Sequence, residues 1–77
     1  MLLDDWLTSV GMVDAAFADM IDVSREYARL LRAGRRTPSV DVAERIGQVT
    51  GGEVTGDDLE VAYVAWQNRK REQADVA

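Results

Sequence analysis

The chain has 77 residues, no cysteine, no histidine and a formal net charge of −5 at pH 7. It can form neither a disulfide nor a thiolate metal site, and it lacks the usual zinc ligand and general base, so we expect no enzyme, metal or cofactor. The length predicts one domain over residues 1–77, and the short apolar runs predict a soluble cytoplasmic protein without membrane contact.

The first two predicted helices are short and end at residues that suit a left-handed backbone. Helix 1 is expected over residues 1–11 and helix 2 from about residue 13 to residue 21. Gly11 ends the first helix, and Asp22, which tolerates a left-handed conformation better than most residues, ends the second. Their inward stripes are Leu3, Trp6, Leu7 and Val10, and Ala16, Phe17, Met20 and Ile21.

The third helix is expected to begin after Ser24, a good N-cap, and to run to about Ala33, with Gly34 as its stop. Its apolar side consists of Tyr27, Ala28 and Leu31. The opposite side carries an arginine row without an acid among its members, namely Arg25, Arg29, Arg32 and Arg36. Residues 24–37 carry a local charge of +4 and the other residues −9, a distribution that suits a DNA-binding protein if no carboxylates neutralise the row. The alternative is a surface helix with solvated arginines.

Two more helices are expected after the break at Pro38. Helix 4 runs from its N-cap Ser39 to about Thr50. Helix 5, over about residues 57–72, follows a segment of capping-box form in which Asp58 replaces the usual Glu or Gln. We expect its wide apolar surface to pair with a second copy through Val61, Val64, Ala65 and Trp66, the alternative being that it only closes its own core. The basic cluster Arg69, Lys70 and Arg71 either complements the helix dipole or reaches DNA flanks.

The two central helices resemble the helix-turn-helix of the lambda repressor and Cro superfamily. Counted from Asp14, the small fifth residue of the motif is Ala18, and the ninth, usually glycine, is Asp22. The buried fifteenth and eighteenth residues are Ala28 and Leu31. The family often has glutamine at the Asp14 position, where it contacts a phosphate; an aspartate repels phosphate, so that contact is not expected here.

The flanking segments extend the resemblance over residues 2–59. Ala33–Ser39 is similar to the basic loop after the family's recognition helix. Thr50–Leu59 is similar to the end of small phage Cro-like and YdaS-like regulators. The resemblance implies a compact all-α, five-helix lambda-repressor-like domain with its helix-turn-helix at helices 2 and 3.

The resemblance also implies which residues contact DNA. The base-reading positions would be Arg25, Glu26, Arg29 and Leu30. Arginine bonds guanine bidentately, glutamate accepts from cytosine, and leucine touches a thymine methyl. For Glu26, stabilisation of the helix dipole is an equal alternative, and for Tyr27, burial is an alternative to a phosphate contact. Phosphate contacts are expected from Ser24, Tyr27, Arg32, Arg35, Arg36 and Thr37.

The sequence therefore predicts a sequence-specific transcriptional regulator that binds double-stranded DNA. The expected form is a homodimeric Cro-like repressor, bacterial nucleoid-associated or phage-encoded, that occludes a promoter at a palindromic operator. No small-molecule ligand is evident. The alternative is a protein-interaction module (an antitoxin, antirepressor or transcription cofactor) that uses the fold without specific DNA binding. Asp14, the missing N-cap of helix 2 and the acidic total favour this alternative.

Overall fold

The computed structural model describes residues 1–76, with side chains up to Glu72, and this range contains five helices and no strand. The helices are α1 Leu3–Val10, α2 Asp14–Ile21, α3 Arg25–Arg32, α4 Val40–Val49 and α5 Gly56–Val76. The prediction of an all-α fold with five helices is confirmed. Within the described range, no helix combines the length and the apolar content needed to cross a bilayer.

The ends of α1 and α2 follow the local signals in the sequence. Gly11 and Asp22 both adopt the left-handed conformation, with φ of 68° and 57°. The N-cap position of α2 is Val13, which makes no side-chain cap hydrogen bond, as expected. The chain therefore passes from α2 to α3 through a short turn that holds a non-glycine residue at positive φ, a conformation that aspartate tolerates better than most residues.

Polar side chains cap the other three helices. The hydroxyl of Ser24 accepts a hydrogen bond from the Tyr27 N–H at 3.1 Å, and Ser39 does the same for α4. At the start of α5, Thr55 Oγ1 accepts from the Asp58 N–H, and Asp58 Oδ2 accepts from the Thr55 N–H. These bonds satisfy backbone donors that would otherwise lack partners, and they confirm the capping box with aspartate in place of glutamate.

The core lies between the first four helices and the start of α5. Its buried members are Leu3, Leu7, Phe17, Ala18, Ile21, Ala28, Leu31, Val42, Ile46, Val54 and Leu59. The predicted inward positions of Ala16, Met20 and Val10 are wrong, because all three are exposed. Phe17, Ala18 and Ile21 face inward, and Met20 lies about 100° around α2 from the middle of that inward side. Val10 is the last residue of α1, where the chain turns at Gly11.

Two side chains that the sequence did not single out hold α4 to neighbouring segments. Thr50 is buried, and its Oγ1 donates to the Ile46 carbonyl at 2.8 Å and accepts from the Val54 N–H at 3.2 Å. Arg45 of α4 donates to the carbonyl of Ile21 at the end of α2. Both side chains supply partners to backbone groups at or just beyond helix ends, which fixes α4 against α2 and the segment before α5.

Gly34 positions α5 against the end of α3. Its φ is 74°, and a Cβ at this position would lie 2.9 Å from the carbonyl oxygen of Ala62. The backbone of α5 can therefore approach closely only because residue 34 has no side chain. Along α5, Leu59 is buried, while Tyr63 and Trp66 are half-buried on the side that faces the bundle.

Candidate nucleic-acid interface

The outer side of α3 carries most of the residues that were expected to read bases. Arg25, Glu26 and Arg29 are exposed, whereas Leu30 is half-buried at the edge of this side. The opposite side of the helix is covered, because Ala28 and Leu31 are buried in the core. The structure thus brings three of the four candidate base-reading residues together on one solvent-facing surface.

Arg29 and Glu26 form an ion pair on this outer side. The Arg29 Nε lies 3.0 Å from Oε2 of Glu26, and Nη2 lies 2.5 Å from Oε1. The hydrogen bond to Arg29 lowers the pKa of Glu26, and the same bond raises the pKa of Arg29. Both side chains are exposed, so solvent screens the pair and its net contribution to stability is small.

Arg32 is held by three side chains of two other helices. Its Nε donates to Oδ1 of Asp4 at 2.7 Å, Nη1 donates to Oδ1 of Asp14 at 3.0 Å, and Nη2 donates to Oγ1 of Thr8 at 3.2 Å. The bond to Asp4, followed by the bond to Asp14, raises the pKa of the guanidinium. This side chain therefore ties α3 to both α1 and α2.

The prediction of an arginine row free of carboxylates is wrong. Arg29 is paired with Glu26 of its own helix, and Arg32 is paired with Asp4 and Asp14. The row was inferred from spacing along one helix, and that spacing does not show which acids of other helices lie beside it. Arg36 also lies outside the helical row, because α3 ends at Arg32.

Three cations near α3 have no carboxylate within 4.0 Å among the side chains described up to Glu72. They are Arg25, Arg35 and Arg36. The guanidinium of Arg36 lies 5.8 Å from the ring centroid of Tyr27, and that of Arg35 lies 5.9 Å from the ring centroid of Trp66. These aromatic faces attract the two cations and limit their freedom without neutralising them. Positive charge is thus exposed at both ends of α3.

The remaining candidates for phosphate contact have other roles as well. The Ser24 oxygen accepts the cap hydrogen bond, which leaves its hydroxyl hydrogen free to point outward. Tyr27 is half-buried: one part of its side chain packs against the core, and the other part is exposed to solvent. Thr37 is exposed in the loop between α3 and α4.

The four residues expected at a dimer interface do not share one surface. Val61 and Val64 are exposed and line one groove of α5 with the half-buried Ala65. Trp66 lies about 100° further around the helix than Ala65 and contacts Arg35 and Lys70. The interaction with Lys70 was missed, although the spacing of four residues on one helix places the two side chains together.

Comparison of the chain with protein-family models, with curated proteins and with solved structures finds no match. The exposed outer side of α3 and the charges around it are therefore the features of this protein that indicate a function. There, Arg25, Arg35 and Arg36 have no ion-pair partner among the side chains that the structure describes, Arg29 is paired locally, and Arg32 is tied to the bundle. This surface can donate several charge-assisted hydrogen bonds to an anionic partner.

Proposed function

We propose that this protein is a sequence-specific DNA-binding transcriptional regulator whose α3 enters the major groove. One observation carries the proposal: the outer side of α3 is exposed and presents Arg25 and Arg29, while its inner side is buried in the core. A helix of this width fits the major groove, where arginine recognises guanine through two hydrogen bonds. Arg35 and Arg36, in the loop after α3, contact phosphates and fix the register.

The proposed arrangement of the helices is that of the lambda-repressor-like domains, with α2 and α3 as the helix-turn-helix. Three features support it: the packing of α2 against α3, the short turn at Asp22, and the Ser24 cap that begins the second helix. The buried Ala18 and Ala28 are small, which allows close packing at this junction.

Glu26 has a positioning role in this proposal. It occupies one edge of the Arg29 guanidinium, which consists of Nε and one hydrogen of Nη2. The guanidinium has five N–H donors in a planar fork, so the end formed by Nη1 and the second hydrogen of Nη2 stays free. That end presents the two parallel donors that the O6 and N7 atoms of guanine require. The ion pair thus orients Arg29 toward the groove.

The regulator acts as a homodimer that pairs through the outer groove of α5. The exposed Val61 and Val64 support this, because contiguous apolar surface on a small protein is favourable to cover. A two-fold dimer places two α3 helices in successive major grooves, about 34 Å apart, on a palindromic operator. Occupation of that operator represses transcription by occluding a promoter.

Sedimentation at micromolar concentration tests the interface. The wild type should sediment as a dimer and the Val64→Asp variant as a monomer; a monomeric wild type rejects this interface.

Selection of bound sequences from a random duplex library tests the proposed function. We expect enrichment of a motif with two-fold symmetry, guanine-containing half-sites and a half-site spacing of about ten base pairs. Affinity for the selected duplex should fall steeply as salt increases, because phosphate contacts release counterions. No enrichment together with an affinity that does not depend on salt would refute DNA binding.

The second candidate function is a protein-interaction module that has the fold without specific DNA binding. The carboxylate partners of Arg29 and Arg32 favour it, because they reduce the positive charge that α3 offers to a duplex. The net charge of −5 acts in the same direction. A gel shift on promoter DNA and on random DNA across a range of salt concentrations separates the two functions, since only the regulator discriminates between the duplexes.

A further inference from the structure

A cleft between α5 and the end of α3 is lined by three cations and one indole ring. We call it the Trp66 cleft; it is lined by Ala33, Arg35, Trp66, Arg69 and Lys70. The Arg35 guanidinium lies 5.9 Å from the centroid of the Trp66 ring, and the Lys70 ammonium lies 5.3 Å from it. Two cations thus share one aromatic side chain at the edge of the folded body.

Local sequence and one glycine create this cleft. Arg69 and Lys70 follow Trp66 by three and four residues, which places all three on adjacent positions of the α5 surface. Arg35 belongs to the loop after α3 and reaches Trp66 because Gly34 lets that loop lie against Ala62, one turn earlier on α5. The cleft is therefore fixed by the same close contact that positions α5.

The cleft is lined by cations and by none of the described carboxylates. Among the described side chains, no carboxylate lies within 4.0 Å of Arg35, Arg69 or Lys70. The attraction of Arg35 and Lys70 to the indole ring holds these two like charges near one another, and their repulsion is a cost that a bound anion would relieve. Arg32 differs in this respect, because Asp4 and Asp14 already satisfy its charge.

We propose that the Trp66 cleft binds a backbone phosphate of duplex DNA beside the bases that α3 reads. This inference depends on the proposed function, and it adds Arg69 and Lys70 of α5 to the DNA-contacting surface. The position supports a flanking contact, since Arg35 comes three residues after the last residue of α3. Phosphate is the expected occupant because the cleft presents separate charged donors on a half-buried aromatic floor and a duplex presents phosphates along its whole length.

The test compares two charge-removing variants of α5 on a random-sequence duplex that extends beyond both ends of the protein. The first, Arg69→Gln with Lys70→Gln, removes two cations of the cleft. The control is Arg71→Gln, which removes one exposed cation of the same helix that does not line the cleft, and the effects of the two variants are compared per charge removed. Fluorescence anisotropy across a series of salt concentrations gives the dissociation constant and its salt dependence, and thermal denaturation checks that each variant is folded.

The cleft variant should bind about 3- to 10-fold more weakly at low salt, and its salt slope should fall by roughly one, as the loss of one phosphate contact predicts. Arg71→Gln should change both quantities much less. Trp66→Phe, which keeps a ring but offers a weaker cation site, should give an intermediate loss.

Four results would overturn the inference. If the cleft variant binds like the wild type, the cleft contacts no phosphate, although the regulator proposal stands. If Arg71→Gln has an equal effect per charge removed, only overall charge matters. If the wild-type protein binds no duplex, the proposed function fails and the cleft assignment fails with it. Tighter binding of a poly-glutamate peptide than of the duplex would assign the cleft to an acidic protein partner instead.

Discussion

Two sides of α3 carry the same residue type with different surroundings. At the edge of α3 that borders the other helices, called the packed side below, Arg32 donates to Asp4, Asp14 and Thr8, and its side chain is 27% exposed. On the outer side, Arg29 is 49% exposed and is held only by Glu26, three residues earlier on the same helix. Two arginines three positions apart thus differ in function: one joins helices, and the other is presented to solvent. Substitutions on the packed side should change stability, and those on the outer side should change DNA binding.

The largest effect is expected from Gly34→Ala, where the packed side of α3 meets α5. The new residue would hold a left-handed backbone, and its Cβ would lie 2.9 Å from the Ala62 carbonyl oxygen. We expect a loss of about 2–4 kcal/mol in the free energy of unfolding, measured by urea denaturation. Gly47→Ala is the control, because this helical glycine has open space around its Cβ position and should gain about 0.5–1 kcal/mol. Equal effects of the two variants would contradict the close contact.

The next effect is expected from Arg32→Met, which keeps an unbranched apolar chain but removes the guanidinium. Asp14 is partly buried and would lose its partner, so we expect the free energy of unfolding to fall by about 1–2 kcal/mol. The affinity of the folded variant for DNA should change little, because the guanidinium is occupied within the protein. Unchanged stability with weaker, less salt-dependent DNA binding would instead assign Arg32 to a phosphate contact.

On the outer side, Arg29→Ala should leave the thermal unfolding midpoint nearly unchanged, because its ion pair is exposed. Its affinity for the selected duplex should fall by about tenfold or more, and discrimination against other sequences should weaken, since a bidentate contact to guanine is lost. Anisotropy on selected and scrambled duplexes measures both quantities, with Arg71→Ala as the charge-matched control. An unchanged affinity would remove Arg29 from the base-reading surface.

The smallest effect is expected from lowering the pH. Arg29 holds the pKa of Glu26 below its ordinary value of 4.5, and the Thr55 N–H followed by the N-terminal ammonium lowers the pKa of Asp58 below 3.8. Because each pKa is lower in the folded state than in the unfolded state, the ionised carboxylates stabilise the protein at pH values above their ordinary pKa values. This stabilisation is lost as the pH falls through the lowered pKa values. The wild type should therefore lose stability below about pH 4.5. Urea denaturation over this range should show a smaller acid loss for Glu26→Gln.

Local signals in the sequence predicted most helix ends, but α5 continues to Val76 and does not end at about residue 72 as predicted. The caps at Ser24, Ser39 and Thr55, and the left-handed ends at Gly11 and Asp22, depend on residues within a few positions of each other. A short-range pattern contains all the information that such hydrogen bonds require. The predicted inward positions of Met20 and Val10 failed because spacing on one helix leaves open how far its neighbours extend.

The amino-acid sequence alone determined the five helices, the buried inner side of α3 and the concentration of arginine from residue 24 to residue 37. Only the tertiary structure decided which of those arginines is neutralised. The partners of Arg32 lie 28 and 18 residues away at Asp4 and Asp14, and Arg35 meets Trp66 through a contact between the loop after α3 and α5. Electrostatic pairing acts over a few ångströms, so it depends on how the helices pack and not on their order along the chain.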